Sequence, residues 1–146
     1  MPINLHSSNQ PTISANPEEL DAALIQGATW IDLLQPTPEE VKAVEAALQI
    51  DIPTPEEMKE IESTSRLYCE NGIRVMNTPL LVNTTKETPS PTEVSFMLAP
   101  NRLITLRDRD SASFRLTAQQ ISRGAIAGKR DAIFIALLEN IVDRQA

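Results

Sequence analysis

The chain has 146 residues, of which 41% are hydrophobic, and this length and composition suit one compact domain that buries its own core. A single cysteine, Cys69, and a single histidine, His6, exclude a disulfide framework and a zinc site of Cys and His ligands within one chain. The net charge of -7 is uneven, because residues 1–73 carry 13 acidic and 3 basic residues. This acidic half disfavours nucleic acid as a partner and favours cations. The longest apolar run, residues 132–138, is too short to span a bilayer, and we expect a soluble polypeptide.

The first 15 residues are rich in polar residues and are predicted to form a loose N-terminus. A short edge strand is expected around residues 3–5. His6 is then expected to be a solvated residue of this tail.

Three similar segments each have the parts of a helix start. They are Asn16-Pro17-Glu18-Glu19, Thr37-Pro38-Glu39-Glu40 and Thr54-Pro55-Glu56-Glu57. Each has an Asn or Thr cap, a proline at the first helical position and a glutamate three residues after the cap. Apolar residues at helical spacing follow each segment, but the unequal distances between the segments argue against a structural repeat. The sequence therefore predicts three independent helices.

Between the first two helices, residues 29–34 form a short apolar run that ends at Gln35-Pro36 and predicts a buried strand. Asp32 is its one charged residue. We expect Asp32 to accept hydrogen bonds from backbone amides or to pair with an arginine. A catalytic role would need a second carboxylate nearby, and the sequence places none there.

Two hairpins are predicted in the middle of the chain. The first joins residues 65–69 to residues 73–82 across Asn71-Gly72, and the second joins residues 92–99 to residues 103–107. The polar residues 84–91, with two prolines, are predicted to be an exposed connection. Cys69 lies in a predicted strand and is expected to be a small buried hydrophobic residue.

The last part of the chain is predicted to be helical, over residues 112–123 and 131–144, with a break at residues 124–129. The second helix has an apolar stripe wide enough to pack on a sheet: Ile133, Phe134, Leu137, Leu138 and Ile141. Helices, then hairpins, then helices indicate an α/β or α+β sandwich, in which helices cover both faces of a mixed or antiparallel sheet.

Two stretches have the composition of ligand sites. Residues 124–130 are similar to a phosphate-binding loop, but they have three residues between the glycines instead of four and no Ser or Thr after Lys129, so an inter-helix turn is predicted. Glu56, Glu57 and Glu60 crowd one short predicted helix, and carboxylates are the ligands that magnesium prefers. Acids at a helix start also complement the helix dipole, which explains their presence at all three helix starts. Arg66 could pair with one of these acids.

Several segments, in this order, resemble the cytosolic domain of the CorA family of divalent-cation transporters. They are residues 30–37, 48–53, 56–61, 63–66, 94–98, 103–107 and 137–144. The resemblance covers residues 29–146. It implies an αβα sandwich with a mixed, largely antiparallel sheet, and it identifies residues 128–146 as the start of a stalk helix.

The resemblance implies that residues 1–146 are a single soluble domain, without enzymatic activity, at the cytoplasmic face of the bacterial inner membrane. Members of the family are homo-oligomers, namely pentamers, with two C-terminal membrane helices and a Gly-Met-Asn signature that this chain lacks. A divalent cation, Mg2+ or Co2+, would be the transported or regulatory ion, and no organic cofactor is implied. The function implied is metal sensing by the regulatory domain of a CorA-like transporter.

The family's sensing acid lies on the helix before a Ser-Ser-Arg-like segment, where this chain offers Glu56, Glu57 and Glu60 as ligands of an inter-subunit metal site. Met58-Lys59 interrupts the acidic pair that some members have. The partner acid lies on the stalk beyond residue 146, unless Asp143 takes that role. Two alternatives stay open: a free-standing soluble interaction or ligand-binding module with the same fold, and a small metal-dependent hydrolase that uses Asp32.

Overall fold

Strands and helices account for most of the residues that the computed structural model describes, which are residues 3–6, 13–15, 22–52, 67–70, 72–82, 90–124 and 129–145. The strands are β1 (Ile3–His6), β2 (Ile13–Ala15), β3 (Trp30–Leu34), β4 (Leu67–Glu70), β5 (Ile73–Val82), β6 (Ser90–Ala99) and β7 (Arg102–Arg107). The helices are α1 (Ala22–Gly27), α2 (Pro38–Leu48), α3 (Ala112–Ser122) and α4 (Arg130–Gln145).

The seven described strands form one sheet in the order β2-β1-β3-β7-β6-β5-β4. Within the described residues, neighbouring strands are antiparallel except for β3 and β7, which run parallel and pair Asp32 with Thr105. The sheet is therefore mixed and largely antiparallel, and the prediction of its class is confirmed.

Helices cover both faces of the sheet. Successive side chains of a strand point to opposite faces, so each strand contributes residues to both layers of the core. On β3, Ile31 and Leu33 join an apolar cluster with Ile25 of α1 and Val44 of α2. Trp30 joins a second cluster that contains residues of α3 and α4. The members from the two helices are Phe114, Ile121, Ile133, Leu137 and Ile141. The predicted αβα sandwich is thus confirmed, and below we name its two sides the α1/α2 face and the α3/α4 face.

Helix α2 begins with the capping box that its sequence predicts. Thr37 Oγ1 accepts a hydrogen bond from the Glu40 backbone N–H at 3.2 Å, and a Glu40 carboxylate oxygen accepts one from the Thr37 backbone N–H at 2.8 Å. Pro38 occupies the first turn, where its missing N–H costs nothing. The helix starts predicted at Asn16 and Thr54 lie outside the described residues.

Both hairpins predicted from the sequence are present. In the first, β4 pairs with β5, and Gly72 before β5 has a positive φ of 79°, which glycine adopts without steric cost. In the second, β6 pairs with β7 across the turn at Pro100 and Asn101. Residues 90 and 91 of the predicted connection belong to β6, and residues 84–89 lie outside the described residues.

Two predictions about the N-terminus and the first hairpin are wrong. The short strand expected around residues 3–5 is present as β1, but it pairs with a second strand, β2, in the stretch predicted to be loose, and it lies between β2 and β3 instead of at the sheet edge. Burial of Leu5 in the α1/α2 cluster stabilises this arrangement. Cys69 is exposed because it lies on β4, an edge strand of the sheet, opposite Arg74, which is also exposed.

Candidate functional site

The metal ligands predicted from the sequence, Glu56, Glu57 and Glu60, lie outside the described residues, as does Arg66. Within the described ranges, no group of three or more His, Cys, Asp and Glu side chains is placed to hold a metal ion. Asp143, the alternative partner acid, is exposed near the end of α4. The metal site therefore stays a prediction.

A buried ion pair joins the two parallel strands on the α3/α4 face of the sheet. Asp32 of β3 and Arg107 of β7 form a two-pronged contact, with Nε to Oδ1 at 3.0 Å and Nη2 to Oδ2 at 2.6 Å. Both side chains are almost fully buried. The parallel register places Asp32 beside Thr105, so Arg107, two positions further on, reaches back along the same face.

Thr105 connects this ion pair to the tryptophan of β3. Its hydroxyl donates to Asp32 Oδ1 at 2.8 Å and accepts from the Trp30 indole N–H at 2.9 Å. All three side chains are buried. Asp32 thus accepts three hydrogen bonds, an arrangement that compensates a buried carboxylate for the loss of water.

Arg107 also attaches the sheet to α3. Its guanidinium lies over the ring of Phe114, 4.1 Å from the centroid, and Nη1 donates to the Arg109 carbonyl at 3.2 Å. A buried arginine that stacks on an aromatic ring and pairs with a carboxylate has a structural role in many proteins. The sequence prediction that Asp32 could receive an arginine is confirmed.

The hydrolase alternative requires that Asp32 act with a metal held by Glu56 or Glu60. Both carboxylate oxygens of Asp32 are engaged by Arg107, and Oδ1 also by Thr105. This geometry favours a carboxylate that holds the fold together over one that activates water or binds an ion.

His6 belongs to the same face and is buried, so the prediction of a solvated tail residue is wrong. Its ring lies 4.3 Å from that of Trp30, its cross-strand neighbour. Burial lowers the pKa of His6 from 6.5 to about 4; the Asp32 carboxylate opposes this change and the Arg107 guanidinium adds to it. The strand predicted around residues 3–5 does not include His6; the alternation in Ile3-Asn4-Leu5-His6 is the signal that could have placed His6 in this strand, on the face opposite Leu5.

Arg107 is the member of the network that sequence reasoning missed. Strand β7 has an arginine at each end, Arg102 and Arg107, whereas β3 contains one aspartate. Only Arg107 has the strand parity of Leu103 and Thr105, and an arginine on that face of a buried strand is the signal that could have indicated the pair.

Helix α4 presents a second apolar stripe on the side that faces away from the sheet. Ile135 is 54% exposed and Val142 is 63% exposed, and the half-buried Leu138 lies between them. These three residues, which we name the outer stripe, have the 3- and 4-residue spacing typical of helices that pack against one another. On the inner side, Asn140 Nδ2 donates to Thr117 Oγ1 of α3 at 2.8 Å.

Three comparisons relate this architecture to known proteins. The sequence model of the family described as CorA-like Mg2+ transporter protein matches residues 26–146. A curated relative, the magnesium transport protein CorA of Mannheimia succiniciproducens, is 28% identical over 99 residues, which are 68% of this chain and 31% of the relative.

Two solved structures share the fold. The complete CorA magnesium transporter of Methanocaldococcus jannaschii has a TM-score of 0.64 and 10% identity, over 98% of this chain and 45% of that one. The soluble domain of CorA from the same organism has a TM-score of 0.63 and 14% identity, over 97% of this chain and 56% of that one.

The chain covers only part of each of these proteins, 31% of the curated relative and 45% to 56% of the solved chains. Within the residues that the structure describes, no helix is long and apolar enough to cross a membrane. The family match extends over nearly the same residues as the resemblance seen in the sequence. The chain belongs to the CorA-like Mg2+ transporter family.

Proposed function

We propose that this chain is the cytosolic regulatory domain of a CorA-like divalent metal ion transporter and that it senses Mg2+ or Co2+. The observation that carries the proposal is the family match over residues 26–146, together with a fold similar to that of a CorA soluble domain. The acidic first half of the chain supports a cation as the ligand, because an excess of carboxylates attracts and binds hard divalent ions.

The full-length protein would be a homo-oligomer, a pentamer as in the family, attached to the cytoplasmic face of the bacterial inner membrane through a C-terminal segment. The outer stripe supports self-association, because Ile135 and Val142 expose apolar surface along one line of α4. Helices with such a stripe bury it by packing against helices of the same kind.

In the proposed mechanism, Glu56, Glu57 and Glu60 contribute to a metal site between neighbouring subunits. Carboxylates brought together without a cation repel each other, whereas a bound Mg2+ or Co2+ offsets this repulsion. An ion that binds one arrangement of the assembly more tightly than another shifts the population toward the first. Rising metal concentration would therefore favour the closed assembly.

Paramagnetic Co2+ is expected to broaden amide NMR signals of residues 56–60 in the 146-residue chain. We expect weak binding, on the order of 0.1 to 1 mM, because a site shared between subunits loses part of its ligands in the isolated domain. Replacement of Glu56, Glu57 and Glu60 together by glutamine should abolish this selective broadening, and excess Mg2+ should reverse it. The matched control is Glu39→Gln, which removes an exposed acid from the start of α2 and should change nothing.

Micromolar affinity in the isolated chain would contradict the shared site, because it would mean that one subunit supplies a complete set of ligands. Broadening that is equal at Glu39 and at residues 56–60 would contradict a specific site altogether. Sequencing of the gene after codon 146 tests the transporter assignment separately. This part of the gene should encode two apolar stretches of about 20 residues, and a stop codon there would contradict the transporter and favour a free-standing module.

The outer stripe leads to a prediction about self-association of the chain. Ile135→Glu and Val142→Glu should each weaken self-association at least tenfold, because a charge would have to be desolvated in the helix contact. Sedimentation equilibrium of the chain at concentrations up to about 1 mM measures this effect, and a tenfold change is about 1.4 kcal/mol.

Leu116→Glu is the matched control, because Leu116 is an exposed apolar residue of α3 that lies outside the outer stripe. If Leu116→Glu weakens association as strongly as the α4 variants, or if the parent chain stays monomeric at 1 mM, the outer stripe is not the contact between subunits.

A further inference from the structure

Two neighbouring polar residues interrupt the apolar α1/α2 face of the sheet. Asn77 of β5 and Ser95 of β6 are cross-strand partners, with side chains directly opposite each other. Asn77 is 1% exposed and Ser95 is 0% exposed. Both are therefore removed from bulk solvent.

The strand alternation fixes which face these residues share. Val75 and Met97, each two positions away along its strand, belong to the apolar cluster under α1 and α2. Leu106, the partner of Ser95 on the other side, belongs to the same cluster. Asn77 and Ser95 thus lie between this apolar cluster and the next cross-strand pair on the same face, Pro79 and Glu93.

Three polar atoms of this pair lack a hydrogen-bond partner among the described residues: Asn77 Oδ1, Asn77 Nδ2 and Ser95 Oγ. A buried polar group without a partner destabilises the folded state, and native proteins pair nearly all such groups with protein atoms or with internal water.

We propose that Asn77 and Ser95 form a binding site for an internal water molecule between β5 and β6. A buried water makes about three hydrogen bonds, and the pair offers a donor, an acceptor and a hydroxyl that can act as either. Opposite residues of an antiparallel pair have Cβ atoms about 5 Å apart, a distance that one water can bridge. One water can give each of the three unpaired atoms a hydrogen-bond partner without any change in the backbone.

A divalent cation fits this pair much less well. Mg2+ and Ca2+ require six or more oxygen ligands, with carboxylates among them, whereas Asn77 and Ser95 supply two neutral oxygens.

The first test is NMR of the 146-residue chain, with cross-relaxation measured between water and the side-chain amide protons of Asn77. We expect cross-peaks whose sign indicates a long-lived water. Asn140 is the internal control, because its amide already donates to Thr117 and Gln120. Absence of the Asn77 cross-peaks would overturn the proposal. Broadening of the Asn77 amide by Co2+ that persists in the variant with Glu56, Glu57 and Glu60 all replaced by glutamine would also overturn it and assign the site to a cation.

A double-mutant cycle gives an independent readout. If water bridges the pair, Ser95→Ala or Asn77→Leu alone leaves that water short of a partner, and each variant should lower the Tm by about 3 °C or more. The double variant removes the need for water and should recover to within about 2 °C of the parent chain. If no water lies between Asn77 and Ser95, their polar atoms are unpaired, and each single variant removes an unfavourable buried group. Additive increases in Tm would therefore overturn the proposal.

Discussion

Replacement of Asp32 by alanine is expected to destabilise the fold by about 3 to 5 kcal/mol, because it leaves the Arg107 guanidinium buried without its charged partner. The effect is measured as the change in the free energy of unfolding in urea. Asp110→Ala is the control. Its carboxylate lies 3.9 Å from the same guanidinium but is exposed, so its loss should cost less than about 1 kcal/mol.

A second variant separates two contributions to this loss of stability, the buried unpaired charge of Arg107 and the lost packing of the Asp32 side chain. In the double variant Asp32→Ala with Arg107→Leu, no charge stays buried, and we expect stability to recover by about 1 to 4 kcal/mol relative to Asp32→Ala. Equal losses in Asp32→Ala and Asp110→Ala, or no recovery in the double variant, would show that the ion pair contributes little.

Acid is expected to destabilise the protein through His6. Because the pKa of His6 is about 4 in the folded protein, the unfolded chain, with a pKa of 6.5, binds the proton first as the pH falls. Stability is unaffected by His6 above pH 6.5 and is lost progressively between pH 6.5 and pH 4. The loss by pH 4 is about 3 kcal/mol, since each unit of pKa difference corresponds to about 1.4 kcal/mol.

The variant His6→Phe isolates this effect, because phenylalanine keeps an aromatic ring beside Trp30 and cannot be protonated. Urea unfolding of the parent and of His6→Phe is compared from pH 7 to pH 4, so that the titration of all other groups cancels in the difference. The two stability curves should diverge below pH 6.5. Parallel curves over this range would show that His6 is not buried in the neutral form.

The sequence predicts the local features of this fold well. The capping box at Thr37 is complete within four residues, and the Asn71-Gly72 hairpin and the apolar stripe of α4 are likewise set by neighbours along the chain. The sandwich class follows from the order of these elements. Local patterns were therefore sufficient for most of the described helices and strands.

Burial and pairing between distant residues could not be predicted in the same way. His6 is buried because β1 inserts beside β3, and Cys69 is exposed because β4 ends the sheet, and neither position is encoded within a few residues. The partner of Asp32 lies on a strand that the local pattern around Asp32 does not identify. The metal site at Glu56, Glu57 and Glu60 stays a prediction, because the partner acids of a shared site would belong to another subunit.

The parallel pairing of β3 with β7 constrains the order in which the strands of the sheet can pair during folding. Asp32 and Thr105 are 73 residues apart, so during synthesis β3 emerges long before its neighbour in the centre of the sheet. The hairpins β4–β5 and β6–β7 close short loops and can form early, whereas the β3–β7 contact must close a long one. A ribosome-bound chain that stops before residue 102 would leave one side of β3 unpaired, and the two halves of the sheet would join only after β7 has left the ribosome.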